Sequence, residues 1–211
     1  MAIEKIEFAD GDIYEGEVKD GVPDGMGKTT RTDGTIYEGQ YVNGKAEGQG
    51  KLIWPDGTVY EGEFKNDERE GRGVEKYANG DIYEGEFKES KRDGHGRFTS
   101  ASGEIYEGSF EKGKSDGAGK TIFPNGDIYE GEFCKGKRHG QGKYTYADGS
   151  SYKGDYQVGI KDGFGVYTTA DGVAYEGEFV MGSLTGEFKI TYPDGRVAMG
   201  SYDDEGYIRE Q

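Results

Sequence analysis

The sequence predicts an all-β chain, an elongated single-layer antiparallel meander of tandem β-hairpins. Three observations carry that expectation. Eight tyrosines, Tyr14, Tyr37, Tyr60, Tyr83, Tyr106, Tyr129, Tyr152 and Tyr175, recur every 23 residues without an insertion, and a short fixed period marks a repeat architecture. Each follows an Asp-Gly, Asn-Gly or Ser-Gly pair, such as Asp33-Gly34, by three residues, and such pairs mark turns. Between the turns, side chains alternate in character as they do along a strand with one covered face.

The elements follow in chain order. Residues 1–10 read as an N-terminal half-repeat, because Ile6-Glu7-Phe8 matches the second strand of a unit. In the reference unit, 11–33, the first strand puts Tyr14, Gly16 and position 18 on one face and Ile13, Glu15 and Glu17 on the other. Position 18 recurs as Val18, Tyr41, Phe64, Phe87, Phe110, Phe133, Tyr156, Phe179 and Tyr202. A polar loop leads to a second strand, where Gly25 and Gly27 share a face and leave room for rings. A register with Glu17 opposite Lys28 gives a Glu/Lys ladder on the other face, each exposed pair contributing ~0.2–1 kcal/mol. Pairs such as Asp56-Gly57 then act as tight positive-φ turns from one hairpin to the next. A degenerate repeat over 187–211 ends the array: Ala198-Met199-Gly200 lacks the tyrosine, and Gly186-Glu187-Phe188 lacks the second glycine. Residues 1–211 thus read as a single array of about 8.5 repeats. Some ~17 strands at ~4.8 Å spacing would make a twisted ribbon roughly 80 Å long.

Composition alone leans toward disorder: 32% of residues are hydrophobic, mean hydropathy is -0.91 and the net charge is -16,. The unbroken register argues against that, and 17 Tyr, 10 Phe and 1 Trp supply area to bury in a thin structure. No apolar run approaches the ~18 residues of a membrane helix. The start Met1-Ala2-Ile3-Glu4-Lys5 lacks a signal-peptide apolar region, so a cytoplasmic protein is expected. The single cysteine, Cys134, forms no internal disulfide,. Acidity disfavours nucleic acid and anionic lipid, whose phosphates it repels.

Signals of chemistry are weak. Gly48-Gln49-Gly50 and its six relatives precede no helix, so their repetition reads as structural rather than nucleotide-binding. Asp10-Gly11-Asp12 lacks the ligand series of a calcium loop. Cys134 and His139 flank a hairpin loop, but a nucleophile pair needs an orienting third group and a pocket. With only His95 and His139, no rich metal site is expected. The sequence therefore predicts no catalytic residue, cofactor or metal.

Gly126-Asp127-Ile128-Tyr129-Glu130-Gly131-Glu132-Phe133, followed by Cys134-Lys135-Gly136-Lys137-Arg138-His139-Gly140-Gln141-Gly142-Lys143-Tyr144, closely resembles the MORN repeat (membrane occupation and recognition nexus). The resemblance extends over about residues 4 to 202. It implies a single-layer β-sheet rod or trough whose aromatic side receives protein segments. MORN arrays serve as scaffolds, as lipid-associated modules and as appendages to kinases, methyltransferases and exchange factors, so the likeness is specific for fold and less so for function. Tyr152-Lys153-Gly154 departs from the family pattern by reversing the usual acid.

The copies differ most at the second-strand positions equivalent to 29 and 31. Trp54, Tyr77, Phe98, Phe123, Tyr144, Tyr146 and Tyr167 stand at these positions; packing accounts for most of these rings, and the surplus forms an aromatic groove suited to a helix or extended peptide of a partner protein. Residues 112–143 hold seven Lys/Arg against four acids. Among them Lys112, Lys114, Lys135, Lys137 and Arg138 form a candidate patch for a phosphoinositide head group or acidic partner. Phe188, Tyr192 and Tyr202 mark a candidate self-association end, a homodimer contact beside the charged tail Tyr202-Asp203-Asp204-Glu205-Gly206,. The function expected is a non-enzymatic scaffold or adaptor that binds proteins through its aromatic groove and links cytoskeletal or membrane-cortex components. The alternative is a peripheral phosphoinositide- or membrane-associating module.

Overall fold

A computed structural model describes residues 2–202 and 208–210. The acidic tail at 203–206, read above as a charged edge, lies outside the described residues. The 19 strands among the described residues belong to one antiparallel sheet, and no helix among those residues is long and apolar enough to cross a membrane. Two units are distinguished, Met1–Ser102 with Phe110–Gly113, and Gly103–Ser109 with Lys114–Gln211.

In the first unit, β1 (Ala2–Glu7), β2 (Ile13–Lys19), β3 (Val22–Thr30), β4 (Ile36–Val42), β5 (Lys45–Ile53), β6 (Val59–Lys65), β7 (Glu68–Lys76), β8 (Ile82–Lys88) and β9 (Lys91–Thr99) pair in sequence order. Seven- and nine-residue strands alternate after β1. The residues of β10 (Ile105–Glu111) are divided between the two units. In the second unit the same alternation runs through β11 (Lys114–Ile122), β12 (Ile128–Cys134), β13 (Lys137–Thr145), β14 (Ser151–Gln157), β15 (Ile160–Thr168), β16 (Ala174–Val180) and β17 (Ser183–Thr191), then β18 (Val197–Tyr202) and β19 (Ile208–Glu210).

The register differs from expectation by two residues. Glu15, not Glu17, stands opposite Lys28, and Gly16 stands opposite Gly27. Beyond Gly16 the pairing shifts to Val18 opposite Pro23: a bulge absorbs the extra residues of β3, and Gly25 turns there at φ 105. Gly25 and Gly27 therefore do not share a face. A Cβ on Gly27 would strike the Tyr14 ring, whereas one on Gly25 would strike the Glu17 side chain. The bulge frees Glu17 from the ladder, and two local bonds compensate. Its carbonyl accepts from the Tyr14 hydroxyl at 2.6 Å and its carboxylate from the Met26 amide at 2.6 Å, so buried backbone stays satisfied. The tyrosine bond recurs at Tyr37, Tyr60, Tyr83, Tyr106, Tyr129 and Tyr152.

The two turn types also exchange places. The Asp/Asn-Gly pairs three residues before the tyrosines, such as Asp56-Gly57, lie in longer turns, in which the Trp54 amide donates to the Thr58 carbonyl and Asp56 Oδ1 accepts from the Thr58 amide at 2.8 Å. The two-residue turns with both φ positive are Asp20-Gly21, Asn43-Gly44 and their relatives, the geometry that suits a twisted hairpin. Val158 sits at φ 52 in one of them with 57% of its surface exposed, a position hostile to a β-branched residue. Replacing Val158 with Asn, a residue at ease there, is expected to stabilise the fold by about 1 kcal/mol, seen as a higher denaturant midpoint.

In each unit the core is a line of rings on one face. In the first unit Tyr37, Phe64, Tyr60, Phe87, Tyr83 and Phe110 meet successively edge to face at centroid distances of 4.8, 5.2, 4.9, 5.1 and 5.0 Å. In the second, Tyr106, Phe133, Tyr129, Tyr156, Tyr152 and Phe179 do the same at 5.0, 5.1, 5.1, 5.4 and 4.7 Å. Each edge-to-face pair adds ~0.5–1.5 kcal/mol beyond area burial. The rings of Tyr14, Tyr37, Tyr60, Tyr83, Tyr106, Tyr129 and Tyr152 each lie over a glycine pair such as Gly16/Gly27, where any Cβ would come within 2.6 Å of ring or backbone. The opposite face carries the expected ladder on the Glu15 column, with Lys28–Glu38 at 3.1 Å, Lys51–Glu61 at 2.8 Å and Lys120–Glu130 at 2.9 Å, all well exposed.

The last repeat departs from this plan where the sequence does. Phe188, 1% exposed, occupies the missing glycine's place against Gly177. Thr185 Oγ1 donates at 3.2 Å to the Glu178 carbonyl, the acceptor that a tyrosine hydroxyl takes in earlier repeats. One ring is mismatched with its site: the Tyr156 hydroxyl is buried, in a residue 3% exposed, with no hydrogen-bond partner among the described residues. Tyr156→Phe is expected to stabilise by about 1 kcal/mol by removing that unsatisfied group, a gain that thermal melts would register.

Candidate aromatic binding face

The tyrosine face carries a second layer above the core rings, built from the positions at which the copies differ. Its organisers are cations that sequence reading had left in a loop. Arg69, Arg92 and Arg138 recur at a spacing that keeps the 23-residue register. Because the true hairpin turn is two residues long, these arginines fall inside β7, β9 and β13 and point over the rings.

In the first unit, the Arg69 guanidinium lies 5.2 Å from the Trp54 ring, 5.4 Å from Tyr60 and 5.3 Å from Phe87. It bonds the Glu75 carboxylate and donates to the Ser90 carbonyl at 2.6 Å. Glu75 also accepts from the Tyr77 hydroxyl. Burial and this bonded carboxylate raise the Tyr77 pKa above the usual tyrosine range. Arg92 lies 5.4 Å from Phe98 and donates to the Gly113 carbonyl at 2.9 Å. Trp54, Tyr77 and Phe98 are thus half-buried partners of internal cations or of their counterion.

In the second unit, Phe123, Tyr144, Tyr146 and Tyr167 come together. Successive centroids stand 5.7, 4.7 and 6.4 Å apart. Arg138 is 5.4 Å from the Tyr144 ring and donates to the Gly159 carbonyl at 2.8 Å. Lys161 Nζ reaches the Tyr146 hydroxyl at 2.7 Å. Burial, with the Asp127 carboxylate accepting at 2.7 Å, pushes the Tyr144 phenol up to about 12. That bond in turn holds Asp127 below the usual carboxylate range. All four rings remain half-buried.

Two hollows open on this face. One, of about 610 Å³ in the first unit, is lined by Tyr37, Tyr41, Ala46, Leu52, Trp54 and Phe64 with Asp10, Asp12 and Asp67. The other, of about 650 Å³ in the second, is lined by Lys161, Tyr167, Tyr175, Phe179, Leu184 and Tyr202. A larger trough of about 1020 Å³ lies on the opposite face of the first unit. Its walls are glycine backbone and ladder residues, with Lys28 and Lys51 already paired to Glu38 and Glu61. Both aromatic hollows set rings beside charged groups, Asp10, Asp12, Arg31, Asp67 and Arg69 in the first and Lys161 in the second, the mixture of apolar surface and convergent polar groups that binding sites use.

The remaining sequence candidates are scattered. Lys112 is exposed and ion-paired with Glu111 at 3.2 Å; Lys114, Lys135 and Lys137 are exposed at hairpin tips, whereas Arg138 is taken up among rings. Phe188 is covered within the chain, Tyr192 is half-buried and donates its hydroxyl to the Glu210 carboxylate, and Tyr202 is 44% exposed. Cys134 is exposed and stands opposite Lys137, while His139 stands opposite Glu132, so the two do not face each other across the hairpin. Among the described residues no group of three or more His, Cys, Asp or Glu is placed to hold a metal.

The model of the MORN repeat matches eight successive segments, 14–36, 37–59, 60–82, 83–105, 106–128, 129–151, 152–173 and 175–195. No curated protein matches. Among solved structures, the wild-type TCP10 domain of Danio rerio CPAP is similar at 15% identity over 99% of both chains, with a TM-score of 0.56, a likeness of fold. The SAS-4 (dCPAP) TCP domain of Drosophila melanogaster, solved with a proline-rich motif of Ana2 (dSTIL), matches at 14% identity over 93% of this chain and 88% of that one, with a TM-score of 0.43. A virginiamycin B lyase from Staphylococcus aureus reaches a TM-score of only 0.21 at 12% identity, over 99% and 87% of the two chains.

Proposed function

Because the chain belongs to the MORN-repeat family, we propose that it is a non-enzymatic scaffold whose aromatic face binds segments of partner proteins and links them to cytoskeletal or cortical structures. The observation that carries this reading is the half-buried second layer of rings beside two ring-lined hollows. Rings held in place by cations lose little freedom when a partner covers them, which suits them as anchors. Family resemblance supports the scaffold role as a class. The triple variant Trp54→Ala/Tyr77→Ala/Tyr146→Ala, with retained folding checked by thermal melt, is expected to lose the proteins that the wild type retains in a pull-down. Unchanged partners would sink the groove assignment.

A second reading has its own observation. In the second unit Lys114, Lys135 and Lys137 stand at hairpin tips, and the tips that follow carry Val158, 57% exposed, and Met181, 73% exposed. Cationic and apolar tips together suit an anionic bilayer surface. Flotation with phosphoinositide vesicles at low salt decides it; absence of binding ends it. Self-association through the C-terminal end would rest on Tyr202, whose ring is the exposed one of its three candidates.

A further inference from the structure

Three times over, the chain shows how it holds a guanidinium. Arg69, Arg92 and Arg138 each lie between the tyrosine nine residues earlier and the aromatic ring eighteen residues later, at 5.3 to 5.6 Å. Each donates Nη2 to the carbonyl of the residue twenty-one later. In the first unit one equivalent position holds Ala46 instead. The two rings of the cradle are present there: Tyr37 and Phe64 meet at 4.8 Å and 80°, the geometry found beneath Arg69. The equivalent carbonyl belongs to Asp67, whose Oδ1 accepts from the Ala46 amide at 2.8 Å and leaves Oδ2 for an incoming donor. The hollow of about 610 Å³ opens here.

We propose that this hollow takes an arginine side chain of a partner protein, whose guanidinium stacks between Tyr37 and Phe64 over Ala46 and bonds Asp67. The inference rests on the reading of the aromatic face as the partner-binding surface and names the chemistry that the face selects. Charge agrees with it. Asp10, Asp12 and Asp67 line the hollow against Arg31 and Arg69, and Arg69 is already paired with Glu75. A flat guanidinium suits two rings and a fixed pair of acceptors better than a lysine ammonium does.

The test titrates the full chain with a blocked Gly-Ser-Arg-Ser-Gly peptide and with the same peptide carrying citrulline, equal in shape but uncharged. Ring signals of Tyr37 and Phe64 are followed by NMR. The arginine peptide is expected to give saturable shifts and the citrulline peptide to bind about tenfold more weakly or worse. Ala46→Arg, which supplies the chain's own guanidinium, and Ala46→Leu, which fills the space with carbon, should each abolish the response; either suffices if the other fails to fold. Equal binding of citrulline, binding retained by a folded Ala46 variant, or no saturable shift overturns the proposal. If Ala46→Arg leaves captured partners unchanged while the aromatic triple variant loses them, this inference fails and the scaffold reading stands. If the arginine peptide binds but the triple variant keeps every partner, the scaffold reading is the one that fails.

Discussion

Gly62→Ala is expected to cost about 3 kcal/mol and to unfold the first unit at markedly lower denaturant, the upper range for overpacking. The added methyl would lie 2.5 Å from the Gly73 Cα, 2.6 Å from the Arg72 carbonyl and 2.6 Å from the Tyr60 hydroxyl. Two of these neighbours are backbone, so no side-chain rotation relieves the clash. The nearby Gly57→Ala is the control. Its Cβ would meet nothing within 4 Å, and only its φ of 90 opposes the change, so about 1–2 kcal/mol of backbone strain is expected. Equilibrium denaturation of the two variants separates steric crowding at the ring cradle from the conformational cost of a turn. Equal losses would mean that the glycine pairs are chosen for flexibility rather than for space.

Arg69→Ala should cost about 3–5 kcal/mol, because it strands a carboxylate. Glu75 and Arg69 are both nearly buried, and the guanidinium is also the lid over Tyr60 and Phe87. The double variant Arg69→Met/Glu75→Leu should recover most of that loss, since well-packed apolar residues can replace a buried ion pair without penalty. Exposed Lys51→Ala, which breaks the 2.8 Å contact with Glu61, should cost far less, because solvent screens an exposed ion pair. A loss at Arg69 no larger than that at Lys51 would contradict the picture of arginines as internal parts.

Much of this was legible in the residues. The alternation of Tyr14, Gly16 and Val18 marks the buried face, and the 23-residue period marks the repeat. The register was not legible, because pairing Glu17 or Glu15 with Lys28 preserves the same faces. A bulge at Gly25, invisible to strict alternation, decides between them. The arginine column escaped for the same reason. With the hairpin turn placed too wide, Arg69, Arg92 and Arg138 fall in a loop, although their spacing was present in the sequence as a signal. Two acidic columns also have roles that strand alternation does not reveal. The Glu17 column caps the bulge amides, and Asp24, Glu47, Glu70, Asp93, Asp116 and Asp162 accept from the first amide of the next hairpin turn. Much of the charge of -16 is therefore structural, holding turns to the preceding repeat.

The central claim, that partners meet the aromatic face, is tested most directly by photo-crosslinking from one residue on each side of the sheet. Leu52 lines the aromatic hollow and Gln49 lines the trough on the opposite face. A photoreactive phenylalanine at position 52 is predicted to crosslink a partner that the same probe at position 49 does not reach. Crosslinks from 49 with none from 52 would contradict the account.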